Sequence, residues 1–264
     1  MTSESTRARH TLRVLGTLMF ALVAFCASGC SQHVFSPPAR MLPLEDAFGP
    51  SAGGVNVGVA GSGSGTVFGP DVSAANLHLD IGVAEQLDVV GEGTWMVLTG
   101  SGEQPIDEVR RDGAAGRAGV RLTLAETDRR SGDTPPALFA LALTSGVGGG
   151  ASAVGTFVAP DVGLTFSLRS PVGFDLSTGI RTWTSVPIIR RTFAWTAEER
   201  SNEPSVTFGA GFTIQGGVPL VYDETRRGEP RVRAVVGLGL AYIADGSADE
   251  LFMQLGGGLE VRLD

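Results

Sequence analysis

The sequence predicts an all-β chain, an antiparallel up-and-down transmembrane β-barrel of about ten strands, and three observations carry that expectation. From Gly53 onward, apolar and small polar residues alternate with a period of two, the mark of strands with unlike faces. Several of these stretches match the roughly 9–11 residues that a tilted strand needs to cross a bilayer, against the five or six of an ordinary strand. The polar face is built from Gly, Ser, Thr and Ala rather than Lys and Glu, which suits a cramped lumen and not a solvated exterior.

Taken in order, the alternating segments are 55–60, 77–83, 87–97, 118–124, 139–147, 162–168, 172–180, 206–214, 232–242 and 251–263. The last is the clearest. Leu251, Met253, Leu255, Leu259, Val261 and Leu263 share one face, and Gln254, Gly256, Gly258, Glu260 and Arg262 share the other. No stretch has the 3.6-residue periodicity of an amphipathic helix. If the tight turn at 84–86 is periplasmic, Phe139, Phe166 and Phe174 fall at the lower rim and Trp95, Phe208 and Tyr242 at the upper, as interfacial aromatic girdles require. The short connections 84–86 and 169–171 then alternate with long external ones at 99–113 and 185–203. An even strand count returns the C-terminus to the periplasmic side, and the N-terminus is expected there too.

Ahead of the barrel the chain carries an export leader. Arg7, Arg9 and Arg13 make a positive start, and 14–25 form an apolar run too short for the roughly 20 residues of a membrane-spanning helix. Ala27-Ser28-Gly29-Cys30 follows and resembles the lipobox of a bacterial lipoprotein. That resemblance implies cleavage before Cys30, acylation of its thiol and amine, firm anchoring by several acyl chains and, with Ser31 next, sorting to the outer membrane. The alternative is an ordinary signal peptide cut nearby, with Cys30 incidental. The organisation read from these features is a signal peptide at 1–29, a lipidated tether at 30–52 broken by Pro37, Pro38, Pro43 and Pro50, and a barrel domain at 53–264.

The chain has two cysteines, Cys26 in the leader and Cys30, so neither a disulfide nor a cysteine metal site is expected in the barrel. Its formal net charge is −8, and losing 1–29 removes more Arg than acid. That balance argues against a nucleic-acid partner. The expected partners are outer-membrane lipid and, potentially, other envelope proteins; no cofactor or metal is expected.

The hairpin at 77–90, LHLDIGVAEQLDVV, is similar to the strand, turn, strand units of small bacterial outer-membrane β-barrel proteins. This likeness implies a fold, not an activity.

Strand parity points Asp80, Asp88, Glu92, Asp161, Asp175 and Glu260 inward together with Arg117, Arg121, Arg181, Arg231, Arg233 and Arg262. Matched signs in a confined space suggest mutual pairing that fills the lumen, whereas a selective filter would carry one sign; a narrow polar pore and a ligand site are the other readings. His78 shares that face with Asp80 and could act as a general base, but a lumen histidine satisfied by its neighbours is the plainer reading, and no enzyme is expected. The glycine-rich run 146–151 fits a loose nucleotide-binding pattern without a following helix and reads as an external loop. Arg190, Arg191, Phe193 and Trp195 belong to the longest external loop and read as solvated. The function expected is that of an outer-membrane barrel lipoprotein with a structural, interaction or minor permeation role. Two alternatives are a lipid-tethered soluble barrel enclosing a hydrophobic ligand, with its apolar faces turned inward, and a small barrel hydrolase acting through His78.

Overall fold

The computed structural model describes residues 35–42, 45–65, 71–99, 112–127, 137–171, 173–191, 203–222 and 230–263. The leader, Cys30 and the loop residues Phe193 and Trp195 lie outside them. Alternating small and apolar residues form ten strands: β1 Val55–Gly65, β2 Asp71–Ala84, β3 Leu87–Thr99, β4 Asp112–Glu126, β5 Leu138–Ser152, β6 Gly155–Arg169, β7 Asp175–Arg190, β8 Thr207–Tyr222, β9 Pro230–Ala244 and β10 Asp249–Leu263. Each pairs antiparallel with its neighbours in sequence, and β1 pairs with β10 from Val55↔Leu263 to Gly65↔Met253, so the sheet is a closed up-and-down barrel. Closure leaves no strand edge unpaired, the general solution to the exposed-edge problem.

Parity decides what faces out. Leu255 and Leu259 are 59% and 46% exposed, with Leu238, Ile180, Val236 and Met253 beside them in a continuous apolar exterior. Arg121, Thr144 and Ser167, on the opposite parity, are buried. This is the reverse of what a soluble carrier with an apolar interior needs. Trp95, Phe208 and Tyr242 stand exposed toward one end of their strands, and Phe139, Phe166 and Phe174 toward the other.

The strands are longer than the alternation indicates, in part where glycine and alanine erase the apolar signal, while β7 continues through 181–190, so that Arg190 is a strand residue and not part of the expected loop. The run Gly146 to Ala151 is no loop: β5 continues through it to Ser152, with Gly148 paired to Arg117 of β4 and Ala159 of β6. Likewise β8 extends to Tyr222, eight residues past the end of the alternating segment 206–214.

Val55 and Leu263 do lie at one rim, but the described chain does not start there. Phe35 makes an isolated bridge to Ser205, just before β8, and packs on Trp183, Ile243 and Phe252 at the rim where the β7–β8 and β9–β10 connections emerge. This is the loop rim. At the opposite, turn rim, Gly53 N–H donates to Gly82 O at 2.8 Å beside the β2–β3 turn. Residues 35–42 and 45–54 thus pass through the barrel before β1 begins, and the N-terminus expected at Cys30 lies outside the described residues.

Two glycines show how tight the rims are. Gly53 (φ +83°) has open space around its missing Cβ, whereas at Gly155 (φ +116°) a Cβ would collide with the Ile189 carbonyl. Gly155→Ala is expected to cost about 1–3 kcal/mol in denaturant unfolding of the purified barrel, and Gly53→Ala about 1–2 kcal/mol from backbone strain alone.

Candidate functional site

Residues 35–42 and 45–54, read from sequence as part of a tether, instead fill the lumen. Ser36, Ala39, Arg40, Met41, Leu42, Asp46, Ala47 and Phe48 are buried, and their contacts come from strands all round the barrel. A buried segment without regular structure must find partners for its main chain among its surroundings. Pro37, Pro38 and Pro50 lower that demand by carrying no N–H, and many of the segment's carbonyls are met from the wall. Lumen donors do so: Ser185 Oγ to Pro37 O at 2.7 Å, Arg181 Nη1 to Arg40 O at 3.0 Å, Gln254 Nε2 to Met41 O at 3.2 Å, Gln215 Nε2 to Glu45 O and Arg121 Nη1 to Asp46 O at 3.4 Å. Two buried main-chain donors of the segment are met by wall hydroxyls, Ser36 N–H by Thr207 Oγ1 at 3.1 Å and Ala47 N–H by Ser167 Oγ at 2.7 Å.

Inward glycines make the seat. A Cβ at Gly148 would strike Ala39, and at Gly239 and Gly256 it would lie 2.8 and 3.0 Å from the Leu42 methyls. Around the upper part of the segment the lining is apolar, with Met41 and Ala39 against Val72, Met96, Ala115, Phe157 and Ala159.

Toward the middle and the turn rim the lining is ionic, and here the predicted charges meet. Arg121 bridges Asp80 and Asp88, each at 2.9 Å. Arg117 holds Asp161 at 2.6 Å and reaches Glu92 at 3.5 Å. Arg233 joins Asp175 at 2.7 Å and Glu260 at 2.6 Å. Three of the predicted residues differ. Arg181 serves main-chain carbonyls and stacks 4.7 Å from the Trp183 ring instead of pairing with a carboxylate. Arg262 donates to Ser51 Oγ at 3.0 Å. Arg231 is exposed, because at the start of β9 inward parity points past the rim.

Sequence reasoning missed the partners that the segment itself supplies. Arg40 pairs with Glu45, with Glu92 at 2.8 Å and with Asp161 at 3.4 Å. Asp46 pairs with Arg233 and, at 3.4 Å, with Arg169, which also holds Asp175 at 2.6 Å and stacks 4.4 Å from the Phe48 ring. The available signal was composition: Met41, Leu42 and Phe48 among charges are unusual in a free linker.

Glu45, His78 and Glu92 bring ligand atoms within 4.8 Å of one another. All three residues also have ionic partners: Arg40 takes Oε1 of both glutamates, and His78 Nε2 lies 2.9 Å from Asp80. Charge on the segment is thus matched by charge on the wall.

No protein-family model matches the chain, and no curated protein sequence does. Among solved structures it is similar to the β-domain of the Bordetella autotransporter Brka, at 12% identity over 79% of this chain and 99% of that one, with a TM-score of 0.33. The functional reading rests on the closed ladder of strands and on the segment that fills it, not on this likeness.

Two outcomes test the plug. Arg233→Met is expected to destabilise by about 3–5 kcal/mol, since it strands buried carboxylates, and adding Asp46→Asn should recover part of that loss in a double-mutant cycle of unfolding midpoints.

Proposed function

We propose that this protein is a lipid-anchored barrel of the bacterial outer membrane, kept shut by its own N-terminal segment, with a structural or interaction role in the envelope. The observation that carries this reading is the placement of residues 35–42 and 45–54 inside the lumen, held near one rim at Phe35 and near the other at Ser51, with carbonyls and charges matched by the wall. Permeation, if the barrel supports any, requires that segment to move. The membrane assignment is supported by the apolar exterior and by aromatic side chains placed outward toward both ends of it. Support for lipid anchoring comes from the lipobox-like residues 27–30, which favour acylation of Cys30 after export.

His78 belongs to the same lumen network, 2.9 Å from Asp80 and 3.7 Å from Glu92. These partners favour a fixture of the wall over a general base, and the reading gives the barrel no catalytic role.

Planar-bilayer recording tests it. The full mature chain is expected to show no sustained conductance, and deletion of 35–50 to give steady channels. A full chain that conducts steadily as purified would refute the plug. The mature chain is also expected to need detergent to stay monodisperse; a monomer in plain buffer would refute the membrane assignment.

A further inference from the structure

Near the loop rim the plug and the wall leave a cavity of about 70 Å³ between them. Pro37, Pro38 and Met41 of the segment form one side, and Met96, Trp183 and Phe252 of the wall form the other. Several polar groups along it already have partners. Ser36 N–H donates to Thr207 Oγ1 at 3.1 Å, Pro37 O accepts from Ser185 Oγ at 2.7 Å, and Gln254 Nε2 donates to Met41 O at 3.2 Å.

The indole of Trp183 is different. The residue is 5% exposed, its Nε1–H is buried, and among the described residues no atom accepts from it. The guanidinium of Arg181 lies 4.7 Å from the ring centroid, and a Cβ at Gly209 would collide with the ring, so the missing side chain of Gly209 is what lets the indole lie where it does. That seating fixes the direction of the N–H. A buried donor without an acceptor is costly and calls for an explanation. Water is a poor occupant, because it needs two to four polar partners and the described lining is predominantly carbon. Glu250, the charged residue of that lining, disfavours an anion. By proportion with the ~150 Å³ cavity that takes benzene, about 70 Å³ holds roughly three or four non-hydrogen atoms.

Resting on the plugged lumen proposed above, we infer that this cavity is a binding site for a small neutral carbonyl compound, its alkyl groups against Met41, Met96 and Phe252 and its oxygen accepting from Trp183 Nε1–H. The segment supplies one side of the site. Such a compound therefore binds the plugged barrel and not the open one, and its binding favours closure by mass action.

Acetone, which matches that size and carries a single acceptor, is the probe, and 2-methylpropene is its counterpart without the oxygen. Each is titrated into the mature chain in detergent with its tryptophans labelled by nitrogen-15, the Trp183 indole signal being identified by its loss in Trp183→Phe. Acetone is expected to move that signal downfield along a saturating curve, and 2-methylpropene to bind about fivefold more weakly, the worth of one net hydrogen bond. Ala241→Val, which narrows the cavity, is expected to abolish the saturation; Phe252→Ala, which widens it, is expected to admit cyclohexanone, which the native chain rejects. A Trp183 signal that ignores acetone, answers both probes equally or exchanges rapidly with water before acetone is added overturns the inference, as does indifference to both cavity variants. Seating of the plug is read separately by oxidising a chain that carries Ser36→Cys and Ser185→Cys together with Cys30→Ser, the native Oγ atoms of the first two lying 2.8 Å apart. A faster-migrating band on a non-reducing gel with a silent Trp183 overturns the site alone; a folded barrel that gives no crosslink overturns the plugged reading and the site with it.

Discussion

The structure depends on one constraint: an irregular main chain shut inside a barrel has only the barrel wall to bond with. No helix or ladder of its own can absorb its carbonyls. The wall meets the demand with long donors, Arg121, Arg181, Gln215 and Gln254, and with the hydroxyl of Ser185. This explains features that are otherwise unconnected. Prolines recur in the plug because each removes a donor, and arginine predominates inside because its planar fork can serve a carbonyl and a carboxylate at once.

The same constraint explains the charge arrangement. A ten-stranded lumen without a plug could balance its acids and arginines strand to strand, as Arg121 does with Asp80 and Asp88. Elsewhere the balance runs through the centre: Arg40 faces Glu92 and Asp161, and Asp46 faces Arg233 and Arg169. Buried pairs contribute little net stability against hydrophobic isosteres, yet losing one partner is costly. Their effect here is to fix the position of the segment along the barrel axis.

Much of the barrel was legible because period-two alternation reports directly on a two-faced wall. Leu255 and Leu259 face outward as their strand pattern requires, and Asp80, Asp88 and Arg121 meet inside as parity predicts. The glycine run of β5 was illegible because residues without side chains carry no alternation; its strand character comes from pairing with β4 and β6. The plug was illegible for another reason. Prolines among mixed residues give the same local pattern in a free linker and in a segment enclosed by the wall, and only the three-dimensional placement of Gly148, Gly239 and Gly256 reveals that space was kept for it.

The seam between β1 and β10 has a mechanical consequence. Those strands are the first and last of the barrel in sequence, and the plug leads directly into β1. The ring therefore closes around a cord attached to its own first stave, and once the ladder from Val55↔Leu263 to Gly65↔Met253 has zipped, that cord has no sideways exit. It can slide only lengthwise, as an axle slides through a hub, and any bulky group on its free end acts as a stopper. Assembly order, rather than affinity alone, thus determines whether the centre is occupied.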